Sequence, residues 1–441
     1  RSPDLTAINY FKIYGANCFG NKIDKLSFDD RIKWVDDNID DIINFKNFNL
    51  INKAESKLLF IAFCFEFNKF LNFLNDESSS YFISHLPIQL DASCNGFQHI
   101  AMLVRDGNLA KTLNFGISYW DNIPDDFYSF IATHLKEFYD YALNSKSSDN
   151  KTIESIYRLK DLTINRAMIK KAIMTIPYNA TSVALIDYLK SDFDLIPKDQ
   201  IPEEFKGDDL VYEFKNDKNI ILKGNDFVVL YKGIKYILTK VFPSLEKLGE
   251  YFNSIVDICC LFKLTIPWVL PSGLVIEQSY AKTSKTRITP LNYSKISYQI
   301  NVVDKSNFDK NKQKAGLMPN FIHSLDSSTL IMVLRSHFNK SGYKNIYAIH
   351  DCFAVTSNNM QQLIDCLKLT YIYLYSNKGY LRNFDDNFKN YLKNILNENF
   401  DLDTLTITKP NNKIIKYPDV NKVIQNTFDV KYINNTSYVL V

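Results

Sequence analysis

The pattern of apolar and polar positions along this 441-residue chain predicts a helix-rich fold with a few short strands. In "SFDDRIKWVDDNIDDIINF" the apolar residues recur at helical spacing behind Ser27, a residue type that favours the N-cap position. The same spacing predicts helices over residues 27–75, 125–145, 152–176, 235–262, 319–338 and 359–397. The charged, proline-interrupted segment 191–230 predicts an inserted surface loop or a small β excursion.

Short apolar runs predict strands elsewhere. Hairpin-like strands are expected over residues 264–303, and "NIYAIHDCFAV", residues 345–355, predicts a β-hairpin with His350 and Asp351 at its crest. An acidic residue is unexpected in such an apolar run, because burying an unpaired charge costs on the order of several kcal/mol. One interpretation is an exposed turn. The other is a rigid hairpin that presents a metal ligand, and this interpretation requires a second carboxylate.

Asp91 is the candidate for that second carboxylate. It ends the apolar strand "LPIQLD", which breaks at "SCNG" before the helix "FQHIAMLVRD", so its side chain is expected at the rim of a sheet. Taken alone, an aspartate at the end of a strand is more often a helix N-cap. Two acids on neighbouring strand ends can hold two divalent ions roughly 4 Å apart. Mg²⁺ suits such a site, since it takes few carboxylates and completes its octahedron with water and substrate phosphates.

A triphosphate substrate would also need cations, and "NRAMIKKAIMTIPYNA" supplies them. Arg166, Lys170, Met174 and Tyr178 recur every four residues, which predicts that they lie along one helix face. Arginine can grip phosphate as a two-pronged fork, and lysine acts as a point charge. An aromatic ring further along suits stacking against a base. The alternative is a solvated basic face on which Met174 and Tyr178 merely pack.

Composition narrows the class of protein. With 46% hydrophobic and 23% charged residues the chain is expected to be globular, and its net charge of +3 requires any nucleic-acid contact to come from local basic patches. The seven cysteines lack paired spacing, which predicts neither a disulfide framework nor a zinc site. No apolar run reaches the roughly 18–20 residues of a membrane span. We therefore expect no membrane partner, and we expect a monomer.

Seven sequence blocks, in order across residues 9–356, resemble the single-subunit phage-type RNA polymerases of bacteriophages, mitochondria, plastids and mitochondrial plasmids. The blocks are "YGANCFG" with "DDRIKW", "AFCFEF", "LDASCNGFQHIAMLVRD", "RAMIKKAIMTIPYNA", "WVLPSGLVIEQSY", "GLMPNFIHSLDSSTL" and "IHDCFAV". The resemblance implies an α/β, helix-rich polymerase right hand, with palm, fingers and a small antiparallel palm sheet. It also implies synthesis of RNA from ribonucleoside triphosphates on a DNA template, and a mitochondrial location.

The resemblance assigns roles to individual residues. Asp91 and Asp351 look like the metal-binding aspartates of polymerase motifs A and C, with the main-chain carbonyl of Ala92 as an additional ligand for two Mg²⁺ ions. Arg166 and Lys170 match the triphosphate-binding pair of motif B. These assignments make Asp91, Lys170 and Asp351 the expected catalytic residues.

Three further residues match the family pattern around the substrate. Lys25 matches a lysine on the phosphate exit side, Tyr178 a tyrosine that stacks at the insertion site and distinguishes ribose from deoxyribose, and His323 a histidine near the 2′-hydroxyl. The chain departs from the pattern at Asn179, where the family usually has glycine; asparagine tolerates the left-handed backbone better than most residues. Pro177 is expected to kink or end the helix before Tyr178.

The resemblance also implies a domain division. A palm-associated helical module is expected over residues 1–85, palm with motif A over 86–107, fingers with motif B over 108–323 and palm with motif C over 324–441. An N-terminal promoter-binding domain and a thumb are not expected within this chain.

Two alternatives remain open from the sequence. A family A DNA polymerase shares the R-x₃-K helix and the His-Asp hairpin, although His323, "DASCNGFQ" and Cys352, where that family commonly has glutamate, argue against it. A non-catalytic nucleic-acid-binding remnant is the second alternative. The intact candidate residues argue against such decay.

Overall fold

The computed structural model describes residues 5–75, 81–145, 149–205, 207, 210–289, 297–341, 345–376 and 378–441. In these ranges long helices dominate and the strands are short and antiparallel, so the predicted helix-rich α/β class is confirmed. No helix of this part of the chain combines the length and apolar character needed to cross a membrane.

The helices of the described ranges are numbered in chain order. They are α1 (Leu5–Phe19), α2 (Phe28–Asp37), α3 (Ile39–Ile43), α4 (Lys57–Leu74), α5 (Asn95–Val104), α6 (Gly107–Thr112), α7 (Phe127–Asn144) and α8 (Asn150–Asp161). They continue as α9 (Arg166–Met174), α10 (Ser182–Lys190), α11 (Gly224–Val241), α12 (Pro243–Phe262), α13 (Lys310–Ser341), α14 (Met360–Tyr375) and α15 (Tyr380–Leu396).

The strands are β1 (Ile88–Leu90), β2 (Phe193–Leu195), β3 (Val211–Phe214), β4 (Asp217–Lys223), β5 (Ile266–Val269), β6 (Val275–Gln278) and β7 (Ala281–Ile288). They continue as β8 (Tyr298–Phe308), β9 (Ile346–Ile349), β10 (Cys352–Val355), β11 (Phe400–Asp401), β12 (Thr406–Thr408) and β13 (Ile414–Lys416). Within the described ranges they form three three-stranded sheets, ordered β1-β10-β9, β2-β3-β4 and β11-β12-β13, and the pairs β5-β6 and β7-β8.

The sheet β1-β10-β9 positions the candidate site. In the β1-β10 pair Ile88 lies opposite Val355 and Leu90 opposite Phe353. All four of these side chains are buried, which fixes the register, because a slip by one residue would turn the buried face to solvent. The end of β1 and the turn of the β9-β10 hairpin are therefore held at the same end of the sheet.

Helix α5 follows β1 directly and forms the centre of the core. All of its ten residues are buried, including the polar residues Gln98 and His99. It contacts α6, α12, α13 and α15. A helix that is enclosed on every side is a rigid support for the strand end that precedes it.

Ser27 is the N-cap of α2, as predicted, and its side chain accepts a hydrogen bond from the N–H of Asp30. The range 152–176 is helical as predicted except for an interruption between Asp161 and Arg166 and its last two residues. Helix α8 ends at Asp161, and α9 begins after Asn165, whose side chain accepts a hydrogen bond from the N–H of Met168. The asparagine starts a new helix because a side chain that satisfies an orphan N–H group favours a helix N-terminus.

Several other predicted boundaries also move. The helix expected over 235–262 consists of α11 and α12, since Pro243 lacks the N–H group that a continuous helix would use. Helix α13 extends beyond 319–338 and contains Pro319 within it. Of the two alternatives for 191–230, the small β excursion is correct, because this segment forms the sheet β2-β3-β4. The range 27–75 is interrupted between Ile43 and Lys57 by turns and a short 3₁₀ segment.

Candidate active site

A cleft of about 1280 Å³ opens between the β1-β10-β9 sheet and helices α7, α9 and α13. Every site residue predicted from the sequence lines it: Lys25, Asp91, Ala92, Arg166, Lys170, Tyr178, His323 and Asp351. These residues come from six separate segments of the chain. The fold therefore brings together a set that sequence spacing alone could not assemble.

The two aspartates lie at one end of the central sheet. Asp91 directly follows β1 and its side chain is open to the cleft. Asp351 and His350 form the two-residue turn of the β9-β10 hairpin. His350 adopts a left-handed backbone conformation, with φ 53°, which a tight hairpin turn of this length requires. The crest is thus a turn that lines the cleft and presents the carboxylate of Asp351 there.

Each carboxylate is harder to ionise than a free one. Burial and the neighbouring charge of Asp91 raise the pKa of Asp351 to about 7. Burial raises the pKa of Asp91 as well, while a hydrogen bond from the backbone of Ala92 and the charges of Lys170 and Lys25 act in the opposite direction. Two acids that repel each other in a partly enclosed cleft are stabilised in the charged form by a cation.

The donor set fits a divalent metal ion of the Mg²⁺ type. Asp91 pairs with the C-terminal segment through the N–H of Val441, which donates to its carbonyl at 2.8 Å, and this pairing does not use the carbonyl of Ala92. No cluster of three or more His, Cys, Asp or Glu side chains suited to a metal occurs in the described ranges. Two carboxylates and a carbonyl leave coordination positions for water and substrate phosphates, as Mg²⁺ prefers.

Arg166 is the first residue of α9 and faces the cleft. Its Nε lies 2.9 Å from Oδ2 of Asp126, and its guanidinium carbon lies 5.2 Å from the ring centroid of Tyr128. The contact with Asp126 is an ion pair and not an aligned hydrogen bond, since the Nε–H group has no hydrogen-bond partner in the described ranges. Asp126 therefore holds the Nε side of Arg166, and the rest of the guanidinium is available to a ligand in the cleft.

Lys170 lies one turn further along α9, with its Nζ 6.0 Å from the ring centroid of Tyr128. Burial lowers its pKa, and the positive charges of Arg166 and Lys25 lower it further. Lys25 also lines the cleft and contacts Asp24 at 2.6 Å. Three cations that repel one another around a cleft form a site for a polyanion, because the anion relieves their repulsion.

Tyr178 and His323 are stacked in parallel, with ring centroids 4.4 Å apart and planes inclined by 3°. The prediction that Tyr178 lies on the same helix face as Arg166 is wrong, because α9 ends at Met174 and Tyr178 belongs to a 3₁₀ turn. Pro177 ends the helix as predicted, since it sits in this turn and cannot continue the helical hydrogen bonds. Tyr178 nevertheless reaches the cleft.

Asn179 adopts a left-handed conformation, with φ 55° and ψ 39°, which asparagine tolerates better than most residues. Its Nδ2 donates a hydrogen bond of 3.1 Å to the carbonyl of Lys314 on α13. A residue in this conformation ends a helix and reverses the chain. Asparagine at this position is therefore compatible with a left-handed turn after Tyr178.

Asp326 is a residue of the cleft that sequence reasoning missed. It lies one turn after His323 on α13, accepts a hydrogen bond of 2.7 Å from Nδ2 of Asn95, and its charge raises the pKa of Asp351 and of Tyr178. The signal was present in "HSLD", because residues three apart share a helix face. Asp126 and Tyr128, in "DDFY", were also missed. In sequence they look like an ordinary N-cap and an ordinary core aromatic, and nothing there shows that they also contact Arg166.

An antiparallel sheet that carries two aspartates at one end, faced by a helix with two cations, suits the α/β domain of a nucleic-acid polymerase. Comparison with family models adds the particular family. The model described as DNA-dependent RNA polymerase matches residues 3–432, and the chain belongs to this family. The resemblance to the single-subunit phage-type enzymes is thereby confirmed.

The chain is similar to several curated polymerases. It is 43% identical over 447 residues to a probable DNA-directed RNA polymerase of Podospora anserina, covering 99% of this chain and 46% of that protein. It is 25% identical over 416 residues to T7 RNA polymerase of Escherichia phage T7, covering 87% and 45%. It is 27% identical over 302 residues to the mitochondrial DNA-directed RNA polymerase of Mus musculus, covering 67% and 22%. The chain spans less than half the length of each of these relatives.

Proposed function

We propose that this chain is the catalytic part of a single-subunit DNA-directed RNA polymerase, which transfers nucleotides from ribonucleoside triphosphates to a growing RNA on a DNA template. The observation that carries the proposal is that all eight residues assigned from the family pattern line one cleft. Family membership supports the same activity.

Asp91 and Asp351, with the carbonyl of Ala92, would hold two Mg²⁺ ions. When bound, such ions activate the attacking hydroxyl and stabilise the leaving phosphate oxygen. The fit rests on the raised pKa of both carboxylates and on their oxygen-only donor set. Family A DNA polymerase is disfavoured as an alternative, since the match is to the RNA polymerase family.

The remaining residues act on the substrates. The 3′-hydroxyl of the RNA loses its proton to water and attacks the α-phosphorus of the nucleotide, so that a new P–O bond forms and the bond to pyrophosphate breaks. Arg166, Lys170 and Lys25 would bind the triphosphate and neutralise the charge that accumulates on pyrophosphate. Tyr178, stacked on His323, would contact the sugar of the incoming nucleotide.

The proposed partners are a DNA template, the nascent RNA and ribonucleoside triphosphates. We assign the palm to residues 86–107 and 324–441, the fingers to 108–323, and a palm-associated module to 1–85. A mitochondrial location and a monomeric state complete the proposal, and similarity to a mitochondrial polymerase supports the location.

The test is primer extension on a preformed RNA–DNA hybrid, with Asp91→Asn and Asp351→Asn compared with wild type. Each substitution keeps the size of the side chain and removes its charge. We expect extension to fall by about a thousandfold or more, because metal ions supply several kcal/mol of charge stabilisation. Hybrid binding, measured by fluorescence anisotropy, should be nearly unchanged.

Asp187→Asn on α10 is the matched control, since Asp187 is exposed and lies outside the residues lining the cleft. It should extend the primer like wild type. Wild-type protein that binds the hybrid but never extends it would support the non-catalytic remnant instead. Loss of hybrid binding in both cleft variants would indicate that the two aspartates act in folding.

A further inference from the structure

The N-terminus of α7 lies beside the first turn of α9, and Asp126 forms the junction. Oδ1 of Asp126 caps α7 by accepting a hydrogen bond of 3.1 Å from the N–H of Tyr128. Oδ2 accepts a hydrogen bond of 2.6 Å from the hydroxyl of Ser129 and lies 2.9 Å from Nε of Arg166. The Asp126 carboxylate is therefore oriented by hydrogen bonds within its own helix, independently of Arg166.

Tyr128 contributes a second surface at the same junction. Its buried ring lies beneath both the guanidinium of Arg166, at 5.2 Å, and the ammonium of Lys170, at 6.0 Å. Cation–π contacts of this kind restrict where the two cations can sit. With Asp126 at Nε and the ring below, Arg166 keeps its two terminal nitrogens for a ligand in the cleft.

We propose that Asp126 is a positioning residue, which holds Arg166 in the orientation that binds the triphosphate of the incoming nucleotide. This inference rests on the proposed function. Arginine has many rotamers, and a side chain that is already oriented loses less conformational entropy when the ligand binds. The opposite effect is physically possible, because a carboxylate beside Arg166 also competes with phosphate for it. The two effects change nucleotide affinity in opposite directions.

Asparagine is the substitution that separates these effects from folding. It is as good an N-cap as aspartate, so Asp126→Asn keeps an oxygen for the N–H of Tyr128. It removes the charge facing Arg166 and puts an amide NH₂ group where Oδ2 accepts from Ser129 and faces Arg166. Asp149→Asn is the matched control, since Asp149 caps α8 through the N–H of Thr152 and is not among the described residues that line the cleft. Asp126→Ser, which also keeps a capping oxygen, is a second variant should the first fail to fold.

The measurement is the dissociation constant of GTP on a hybrid with a templating cytosine and a 3′-deoxy primer end, so that binding occurs without transfer. We expect Asp126→Asn to weaken GTP binding about three- to tenfold, as suits an ion pair that is partly open to solvent. KM should rise in parallel in extension assays. Asp149→Asn should match wild type in both.

A double-mutant cycle with Arg166→Ala tests whether Asp126 acts through Arg166. We expect the effect of Asp126→Asn to vanish in the Arg166→Ala background, which a purely structural role would not produce. The inference is overturned if Asp126→Asn binds GTP as well as or better than wild type, or if its effect persists without Arg166. Wild-type protein that neither binds GTP nor extends a primer would overturn the proposed function, and this inference with it.

Discussion

Tyr178 is held from three directions. His323 stacks against one face of its ring, Pro177 precedes it in a buried position, and Gly96 leaves room for its hydroxyl. Burial and the charges of Asp326 and Asp351 raise its pKa to about 12, so the hydroxyl keeps its proton at neutral pH. A fixed and protonated hydroxyl can donate a hydrogen bond to a ribose oxygen.

Tyr178→Phe tests this role because it keeps the ring and removes only the hydroxyl. Extension with ribonucleotides should persist, while the preference for ribonucleotides over deoxyribonucleotides should fall at least about tenfold, since a lost hydrogen bond removes the discrimination. The ratio of kcat/KM for the two substrates measures the effect. Tyr157→Phe on the exposed face of α8 should leave the ratio unchanged. An unchanged ratio in Tyr178→Phe would mean that another group selects the sugar.

Gly96→Ala should misplace the same ring. A Cβ at Gly96 would lie 2.9 Å from the hydroxyl oxygen of Tyr178 and 3.0 Å from Cβ of Pro177. We expect kcat/KM to fall about ten- to a hundredfold, since a misplacement of about 1 Å can cost that much. Gly249→Ala on α12 is the control, because nothing lies within 4 Å of its Cβ; it should raise stability by about 0.5–1 kcal/mol. Equal kinetics for both variants would contradict the expected clash.

At the scale of one element, α9 presents two adjacent lysines to different surroundings. Lys170 points into the cleft, whereas Lys171 forms an ion pair with Asp192 on the outer side. Lys170→Ala should lower kcat/KM about 10- to 150-fold, which corresponds to a charge-assisted contact of about 1.5–3 kcal/mol. Lys171→Ala should remain within about twofold of wild type, as an exposed ion pair contributes little. Steady-state extension assays distinguish the two, and similar losses would refute a specific role for Lys170.

The sequence predicts the elements around the site better than their boundaries. The crest of "NIYAIHDCFAV" is predictable because strand alternation and a two-residue turn are local properties. The break in the helix before Arg166 is not predictable, because Asn165 is compatible both with a helix interior and with an N-cap. The separation of Tyr178 from the face of α9 also depends on where the last helical hydrogen bond forms, which side-chain periodicity does not specify.

The site residues were identified from the family pattern, because local spacing along the chain does not show which distant residues meet. Asp91 and Asp351 are far apart in the chain, and no periodicity indicates that their strand ends meet. Asp126 was missed because its contact with Arg166 is tertiary and carries no spacing signal of its own. Asp326 shares a helix face with His323, but its contact with Asn95 is tertiary as well. Side chains that position others are the least visible in a sequence.

At the scale of the whole molecule, His99 makes stability depend on pH. It is fully buried in α5, its Nδ1 lies 2.7 Å from the hydroxyl of Tyr375, and it faces Tyr371 and the carboxylate of Asp326. Burial lowers its pKa to about 4, while the charge of Asp326 acts in the opposite direction. Protons therefore bind the unfolded chain more readily, and this contribution to stability is complete above about pH 6.5 and lost as pH falls toward 4.

The size of this effect is about 3 kcal/mol across that range. His99→Gln, which cannot take up a proton, should lose less stability between pH 7 and pH 4.5 than wild type does, even if it is less stable at both. Urea unfolding at the two pH values measures the difference. Parallel losses in the two proteins would show that other groups cause the acid sensitivity.

The pairing of β1 with β10 has a consequence for folding during synthesis on the ribosome. More than half of the chain lies between Ile88 and Val355, which are partners in this sheet. At about 5–20 residues per second, a ribosome needs tens of seconds to deliver the second strand after the first. During that time β1 lacks its partner β10, so its backbone N–H and C=O groups are unpaired. An unpaired strand edge can pair with the wrong strand. Leu440, which bridges Ala92, emerges later still, so this side of the cleft is complete only after both segments have been synthesised.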